Sequence, residues 1–197
     1  MPLDGAMLSQ VKQEIETAVG ARVDRITQPG REELIVALRG RQGAYRLLIS
    51  VNAASPRVHF TRAAVENPKT PPMFCMLMRK LLGSAQLTEV RQAGLDRILE
   101  LDFGTIDELG NHVTRTLCVE IMGRHSNLII RRPDGKIVDS IKRIDTSMSS
   151  VRPILPGLTY TLPPAPAEKL NLLEVSADAV IEKLRSEPRQ IELSRRL

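Results

Sequence analysis

The chain has 197 residues, of which 42% are hydrophobic and 26% charged, a balance typical of a soluble globular protein. No run approaches the roughly 20 apolar residues of a membrane span, and the first residues lack the basic-then-apolar order of a signal peptide. We therefore expect a cytoplasmic protein with no membrane partner. The two cysteines, Cys75 and Cys118, lie in apolar runs, which predicts buried thiols rather than a disulfide framework or a zinc site.

The positive charge is unevenly distributed along the chain. The formal net charge is +5, and residues 111–152 contain eight Lys or Arg against four acids, so about a fifth of the chain carries +4 of the excess. A phosphate-binding surface needs such an excess, although a solvated basic face without a partner has the same composition. Aromatic residues are scarce, with three Phe, two Tyr and no Trp, so recognition of a nucleic-acid backbone is favoured over base stacking.

The first half of the chain mixes helical and β-rich patterns. Residues 4–19 have apolar positions at helical spacing, with Asp4 as the expected N-cap and Gly20 as the stop. Four short β-rich runs follow. The stretch "NPKTPPMFCMLMRKLLG" then predicts a second helix over 67–83, with Pro72 in its first turn.

From residue 86 the apolar period changes to two, with turn signals about every ten residues. This pattern predicts an antiparallel meander, a sandwich or a partly closed barrel. With the two helices, the fold class is α+β, a mainly antiparallel β-sandwich or barrel-like domain with flanking helices. We predict a β-rich domain over residues 1–170 and the start of a helical domain over 171–197, broken at Pro188.

Several kinds of catalytic site are disfavoured by the sequence. There is no G-x-x-x-x-G-K-[ST] loop for a nucleotide, and His59, His112 and His125 lack metal-ligand spacing. His125 and Ser126 are sequence neighbours, whose side chains generally point apart and so do not make a nucleophile and base. We expect no cofactor, no metal and no small-molecule substrate, and a binding protein rather than an enzyme.

The turn "MGRHSN", residues 122–127, carries more hydrogen-bond donors than a hairpin needs. Gly123 tolerates positive φ and lets the backbone approach a ligand. Arg124 can hold a phosphate through two parallel N–H bonds, and Ser126 and Asn127 add neutral donors. The alternative is a polar loop in which Ser and Asn bind their own backbone.

A second candidate is the pair Asp96-Arg97, which the pattern places at the opening of a strand. Because neighbouring strand residues point to opposite faces, we expect one of the two side chains to face inward. The alternative is an Arg on the solvent face and an Asp that completes a turn.

Taken together, these stretches resemble the N-terminal domain of the RqcH/NEMF family, called NFACT-N and formerly described as fibronectin-binding. The resemblance covers about residues 1–165 in order, with family-like spacing. The matching stretches are "LDG" at 3–5, "GARVDRITQP" at 20–29, "LLISVNAASPRVHFT" at 47–61 and "NPKTPPMFCMLMRKLLGSAQL" at 67–87, followed by "QAGLDRILEL", "EIMGRHSNLII", "KIVDSIKRI" and "RPILPGLTYTLPP".

The resemblance implies a role in ribosome-associated quality control. Family members bind a large ribosomal subunit obstructed by peptidyl-tRNA, and they recruit tRNA, in bacteria alanyl-tRNA, to add a C-terminal tail without mRNA. The family's Asp-Arg pair, needed for tRNA engagement, matches Asp96 and Arg97. The family signature implies tRNA binding by Glu120, Met122, Gly123, Arg124, His125, Ser126 and Asn127. Additional candidate phosphate contacts are Arg79, Lys80, Lys142 and Arg143.

Two other classes of protein are kept as alternatives. The domain is similar in fold to the N-terminal domain of formamidopyrimidine-DNA glycosylases, a β-sandwich flanked by helices. Those enzymes use an N-terminal Pro followed by a catalytic Glu, whereas here Leu3 follows Pro2, so the acid/base step has no evident agent. The older family name suggests a fibronectin-binding surface adhesin, but these residues contain no secretion signal or anchor.

Overall fold

Helices and strands follow each other in the order that the sequence predicts. A computed structural model describes residues 3–149, 151–164 and 175–186. The helices are α1 Gly5–Glu16, α2 Met73–Leu82 and α3 Ala177–Ser186. The strands are β1 Arg22–Thr27, β2 Glu33–Gly40, β3 Gly43–Ser50, β4 Arg57–Phe60, β5 Gln86–Arg91, β6 Ile98–Ile106, β7 His112–Glu120, β8 Asn127–Arg131 and β9 Ile137–Ser140.

The strands form one antiparallel sheet with the order β4-β3-β2-β1-β5-β6-β7-β8-β9. Strands β1 and β5 share a single residue pair, Arg22 with Gln86, whereas the other neighbouring strands pair over longer stretches. The sheet therefore consists of two halves, β1–β4 and β5–β9, joined at a narrow seam. Inward-facing residues of both halves belong to one hydrophobic core, which confirms the predicted α+β class with a mainly antiparallel, sandwich-like sheet.

Both flanking helices bury one face in this core. Helix α1 contributes Leu8 and Ile15, and it contacts both β4 and β5. Helix α2 contacts β1 and β6, and its buried side chains are Phe74, Cys75, Met78 and Leu82. Each helix thus bridges the two halves of the sheet, which burial of apolar surface stabilises.

The predicted buried thiols are confirmed, since Cys75 and Cys118 are both free and have no exposed surface. Burial raises the pKa of both thiols, that of Cys118 to about 12, where the negative charge of Glu100 adds to the effect. A thiol with such a pKa carries almost no thiolate at neutral pH and is therefore a poor nucleophile.

The helix ends follow the local signals closely. Asp4 is the N-cap of α1, and its side chain accepts a 2.8 Å hydrogen bond from the Met7 N–H. The helix ends at Glu16, before the predicted Gly20, because residues 17–20 form a turn that closes with Gly20 at φ +89°. Helix α2 begins at Met73, later than the predicted start at residue 67, and Pro72 is its N-cap rather than part of its first turn. Gly83 follows its last residue, as predicted.

The chain divides into two compact units, residues 1–161 and 162–197. The predicted domain boundary at residue 170 and the predicted break at Pro188 lie outside the described residues. Within the second unit the structure describes α3, an amphipathic helix. Across the described ranges no helix combines the length and the apolar character needed to cross a bilayer.

Candidate nucleic-acid interface

Two loops meet at one end of the sheet. Ile98, Glu120 and Asn127 pair as the terminal row of β6, β7 and β8. Because these strands are antiparallel, the segments outside this row leave the sheet at the same end. The backbone N–H of Ile121 donates to the carbonyl of Arg97 at 2.8 Å, which joins the two segments. We call residues 92–97 and 121–127 together the loop end.

The turn at residues 122–127 is closed by its own polar groups. Gly123–His125 form one turn of 3-10 helix, and Gly123 has φ +57°, in agreement with the prediction that it tolerates positive φ. The Ser126 hydroxyl accepts a 2.8 Å hydrogen bond from the Met122 N–H. The Ser126 N–H donates in turn to the Gly123 carbonyl at 3.0 Å. Ser126 is 1% exposed, so it stabilises the turn and does not face solvent.

Arg124 and His125 are the exposed side chains of this turn. The Nε of Arg124 donates to Nε2 of His125 at 3.0 Å, so the ring is unprotonated at Nε2 in this arrangement. The terminal nitrogens of Arg124 form no ion pair within the described part of the chain. They are therefore available to bind an anion, whereas Met122 and Gly123 are half-buried.

Asn127 is fully buried and organises the neighbouring turn rather than facing a ligand. Its side-chain amide donates to the Lys142 carbonyl at 2.8 Å, and its Oδ1 accepts from the Lys142 N–H at 3.1 Å. The ammonium group of Lys142 donates to the Val51 carbonyl at 2.6 Å and lies 2.9 Å from a Glu32 carboxylate oxygen. Direct RNA contact by Asn127 or Lys142 is thus disfavoured, because internal partners already occupy both side chains.

Glu120 has no exposed surface, and its carboxylate belongs to a buried ion pair. Arg152 donates to its two oxygens at 2.6 and 3.0 Å, and the Tyr160 hydroxyl donates at 2.9 Å. Burial, together with the nearby Cys118 and Glu120, raises the pKa of Tyr160, which keeps the hydroxyl protonated as a donor. A direct tRNA contact by Glu120 is therefore ruled out in this conformation, and the carboxylate has a structural role.

Most of the basic residues between residues 111 and 152 are paired with acids within the fold. Of its eight basic residues, five form ion pairs, namely Arg131, Arg132, Lys142, Arg143 and Arg152. Arg143, a predicted phosphate contact, makes a two-pronged pair with Asp139 at 2.9 Å. Burial would raise the pKa of Asp139, but hydrogen bonds from Arg143 and from the Ser140 N–H lower it overall. The composition therefore overstates how much positive charge is open to a ligand.

Asp96 and Arg97 lie in the loop before β6, not in the strand itself. The expectation that one of them faces inward is wrong, because both side chains are exposed and make no hydrogen bond or ion pair within the described residues. Their backbone is nevertheless held firmly. The side-chain amide of Gln92 donates to the Asp96 carbonyl at 2.8 Å and to the Gly5 carbonyl at 2.9 Å, which ties the loop to the start of α1.

Arg79 and Lys80 do not belong to the loop end. The Nε of Arg79 donates to the Ile26 carbonyl at 2.8 Å, and Lys80 forms a 2.7 Å ion pair with Glu108. Glu108 lies in the turn between β6 and β7, at the opposite end of these nine-residue strands. At about 3.3 Å per residue, that turn is about 25 Å from the loop end. Lys80 cannot share one phosphate with Arg97 or Arg124.

The glycosylase alternative finds no support from the side chain at the expected place. Leu3, where a glycosylase needs its catalytic Glu, packs against the main core, and residue 2 lies outside the described residues. In the part of the chain that the structure describes, no three His, Cys, Asp or Glu side chains are arranged to hold a metal ion.

Comparison with known proteins identifies the family of this chain. Residues 4–197 match the family described as "NFACT N-terminal and middle domains". The chain belongs to the NFACT family. The Rqc2 homolog RqcH of Bacillus subtilis (strain 168) is 40% identical over 186 residues, which are 93% of this chain and 32% of that protein. The Rqc2 homolog RqcH of Streptococcus suis (strain 05ZYH33) is 39% identical over 186 residues, 93% of this chain and 34% of that protein.

These names place the chain in a family of ribosome quality control factors. The chain spans about a third of the length of these curated relatives. A solved structure with the same fold is the N-terminal domain of fibronectin-binding protein PavA from Streptococcus pneumoniae. It has a TM-score of 0.86 and 34% identity, over 94% of this chain and 70% of that chain. The resemblance inferred from the sequence motifs is thereby confirmed at the level of the family.

Sequence reasoning missed the residues that hold the loop end in place. Arg152 contributes to the basic count of residues 111–152, although "RPILPGLTY" supplies both Arg152 and Tyr160, the two partners of Glu120. Gln92 was overlooked because a single Gln has no distinctive pattern. A buried Glu at the end of an apolar strand was the available signal, since such a carboxylate needs a cationic partner.

Gly5 provides a test of how closely the loop end is fitted to α1. A Cβ at this position would lie 1.7 Å from the Leu95 carbonyl oxygen, so Gly5→Ala must displace the loop that carries Arg97. We expect a loss of about 1–3 kcal/mol in the free energy of unfolding, measured by urea titration with far-UV circular dichroism. Gly30→Ala is the matched control, because its Cβ has 3.6 Å to the nearest atom. Equal stabilities of the two variants would contradict the close fit.

The buried carboxylate provides a second test. Glu120→Gln leaves the Arg152 guanidinium buried without a counter-charge, and we expect it to cost about 3–5 kcal/mol of stability. The control is Glu108→Gln, which removes an exposed ion pair with Lys80 and should leave stability almost unchanged. If both variants unfold at the same urea concentration as the parent, the ion pair with Arg152 does not stabilise the fold.

Proposed function

We propose that this chain is the RNA-binding N-terminal part of a ribosome-associated quality control factor, and that its loop end binds tRNA. The observation that carries the proposal is that two exposed arginines lie on neighbouring segments whose backbones are hydrogen-bonded to each other. Arg97 and Arg124 lie on segments joined by the hydrogen bond between the Ile121 N–H and the Arg97 carbonyl. Neither guanidinium pairs with a carboxylate within the described residues, in contrast to most of the neighbouring cations.

Arginine suits this task better than lysine. Its planar guanidinium donates two parallel N–H bonds to a phosphate, and it loses less hydration than an ammonium group when it binds. Because Ser126, Gln92 and the backbone hold the two loops, the backbone that carries the two arginines would be ordered before binding and less entropy would be lost.

Asp96 is proposed to supply recognition of a different kind. A carboxylate repels phosphate, but it accepts hydrogen bonds from ribose 2′-hydroxyls and from exocyclic amino groups of bases. Its exposed position beside Arg97 would let one loop contact both the backbone and a base or ribose. His125, next to Arg124, adds an exposed imidazole to the same surface.

In the intact protein, we propose that this site serves the process that the family resemblance implies. The factor would bind large ribosomal subunits obstructed by peptidyl-tRNA in the cytoplasm and recruit alanyl-tRNA for tailing without mRNA. The domain would bind and position tRNA, and the ribosome would carry out peptide transfer. Support comes from the RqcH relatives at 39–40% identity, and from the resemblance to the family's motifs of the stretches that contain Asp96, Arg97 and Arg124.

A second candidate is fibronectin binding, since the similar PavA domain is titled a fibronectin-binding protein. The two functions require different partners, tRNA and fibronectin, so one set of variants can distinguish between them. The loop-end arginines should matter for tRNA, whereas a fibronectin site carries no such requirement.

Substitution of the two arginines tests the proposal. We expect Arg97→Ala and Arg124→Ala each to weaken binding of alanine tRNA by roughly tenfold, and to lower the slope of log affinity against log salt by about one. Binding is measured by fluorescence anisotropy at several KCl concentrations, with immobilised fibronectin as a second analyte.

The matched control is Arg132→Ala, which removes an exposed, ion-paired arginine at the opposite end of β8. It should bind tRNA nearly as the parent does. If Arg97→Ala and Arg124→Ala retain the affinity and salt slope of the control, the loop end is not the tRNA site. In the full-length protein, undiminished alanine tailing by both variants would refute the role in quality control.

A further inference from the structure

The outer face of strands β1, β2 and β3 carries a concentration of arginines that lies apart from the loop end. Val23 and Leu38 point into the core, so their neighbours Arg22 and Arg39 point outward, directly opposite each other. In the next row Arg25 pairs with Ala37, which pairs with Arg46. We call Arg22, Arg25, Arg39 and Arg46 the basic face.

This face has a large charge imbalance. Asp24, which shares a bulge with Arg25, is the acid in these two rows, and it lies 4.0 Å from an Arg39 nitrogen. Four arginines and one aspartate give a net charge of +3. The Arg39 and Asp24 side chains are 75% and 54% exposed, so this long pair neutralises little. Arg25 is exposed and has no partner within the described residues.

The remaining two arginines are oriented without being neutralised. Arg22 donates to the Ser84 carbonyl at 3.2 Å, and Arg46 donates to the Ala63 carbonyl at 2.8 Å. Carbonyl oxygens fix the direction of a guanidinium but supply no counter-charge. The other outward positions of these rows in β2 and β3 are Ala37 and Ala44, whose small side chains leave the guanidiniums accessible.

Such an arrangement costs stability in the free protein. Like charges directly opposite each other on antiparallel strands are destabilising, and Arg22 and Arg39 are such a pair. A polyanion laid across the face would remove the repulsion. Adjacent strands are about 4.8 Å apart, so the side chains span a surface on which several phosphates of one nucleic-acid segment can be contacted together.

The face offers no platform for stacked bases. Tyr45, on β3, points to the opposite side, where it packs on the core and against Phe60 with ring centroids 5.1 Å apart. Recognition of unpaired bases generally uses exposed aromatic rings. The chemistry therefore favours the sugar-phosphate backbone of paired RNA, which proteins read by shape and charge.

We propose that the basic face binds the phosphate backbone of double-stranded RNA as a second contact, separate from the tRNA site at the loop end. Its two rows lie toward the turn between β2 and β3, whereas the opposite end of β3 leads to Val51 and its contact with Lys142. The proposal does not depend on the tRNA function of Arg97 and Arg124. In a ribosome quality control factor, such a face would let the domain hold two RNA segments at once.

The test compares two double variants of the 197-residue chain with equal charge. Arg25→Gln/Arg39→Gln removes two charges from the basic face, at positions where no hydrogen bond holds the fold. Lys12→Gln/Arg132→Gln removes two charges from exposed ion pairs on α1 and the β8–β9 turn. Affinity for a fluorescent RNA hairpin with a long generic stem is measured by anisotropy from 50 to 200 mM KCl. Full-length alanine tRNA and polyglutamate are measured in parallel.

We expect the basic-face variant to bind the hairpin about tenfold more weakly than the control, with a salt slope lower by about two. It should also melt a few degrees higher than the parent at low salt, because the Arg22–Arg39 repulsion is relieved. A comparable loss on the hairpin and on tRNA would show that the face binds the backbone of paired RNA in general.

Two results would overturn the proposal. One is equal hairpin affinity and salt slope for the two double variants. The other is a loss of polyglutamate binding alone, which would assign the face to an acidic protein. The variant Arg97→Ala/Arg124→Ala is tested on the same hairpin and tRNA. Because it leaves the basic face intact, it shows separately whether the loop-end site or the basic-face site has failed.

Discussion

The buried pairing of Glu120 with Arg152 is the interaction on which the loop end depends. Glu120 lies in the middle of the terminal row of the sheet, between Ile98 and Asn127. A carboxylate with no exposed surface is costly unless it is paired and hydrogen-bonded, and here three hydrogen bonds from Arg152 and Tyr160 satisfy it. The same contacts bring residues 152–160 onto the outer face of the sheet. The two segments beside Glu120 therefore start from a fixed row.

Around this row, buried and exposed polar side chains have different roles. Ser126, Asn127 and Gln92 use their hydrogen bonds on the protein itself and determine where the backbone runs. Arg97 and Arg124 are left to project from that backbone. In the "MGRHSN" turn Ser126 and Asn127 bind the protein's own backbone, whereas Arg124 faces outward and remains the proposed phosphate contact. Neutral side chains that are hydrogen-bonded within the protein thus position the backbone from which the exposed cations project.

Local patterns predicted the elements of the fold but not the long-range pairing of charges. The N-cap at Asp4 and the period-two runs are encoded by neighbours in sequence, so the helices and strands were predicted in the right order, although α2 begins at Met73 and not at residue 67. Glu120 finds its partners 32 and 40 residues later, and no local pattern specifies such a contact. Counting charges therefore located a basic region but could not show that five of its eight cations were already paired. Sequence distance likewise does not show which end of a strand a helix approaches, so the position of Lys80 relative to the loop end could not be predicted.

The central claim is that Arg97 and Arg124 together form the tRNA-binding surface of this domain. The most direct measurement is a cryo-electron microscopy reconstruction of the full-length protein bound to an obstructed large ribosomal subunit and tRNA. We expect the guanidiniums of Arg97 and Arg124 to lie within about 3 Å of tRNA oxygen atoms, with Glu120 still paired to Arg152. A reconstruction in which the loop end faces solvent or protein, while tRNA binds elsewhere on the domain, would contradict it.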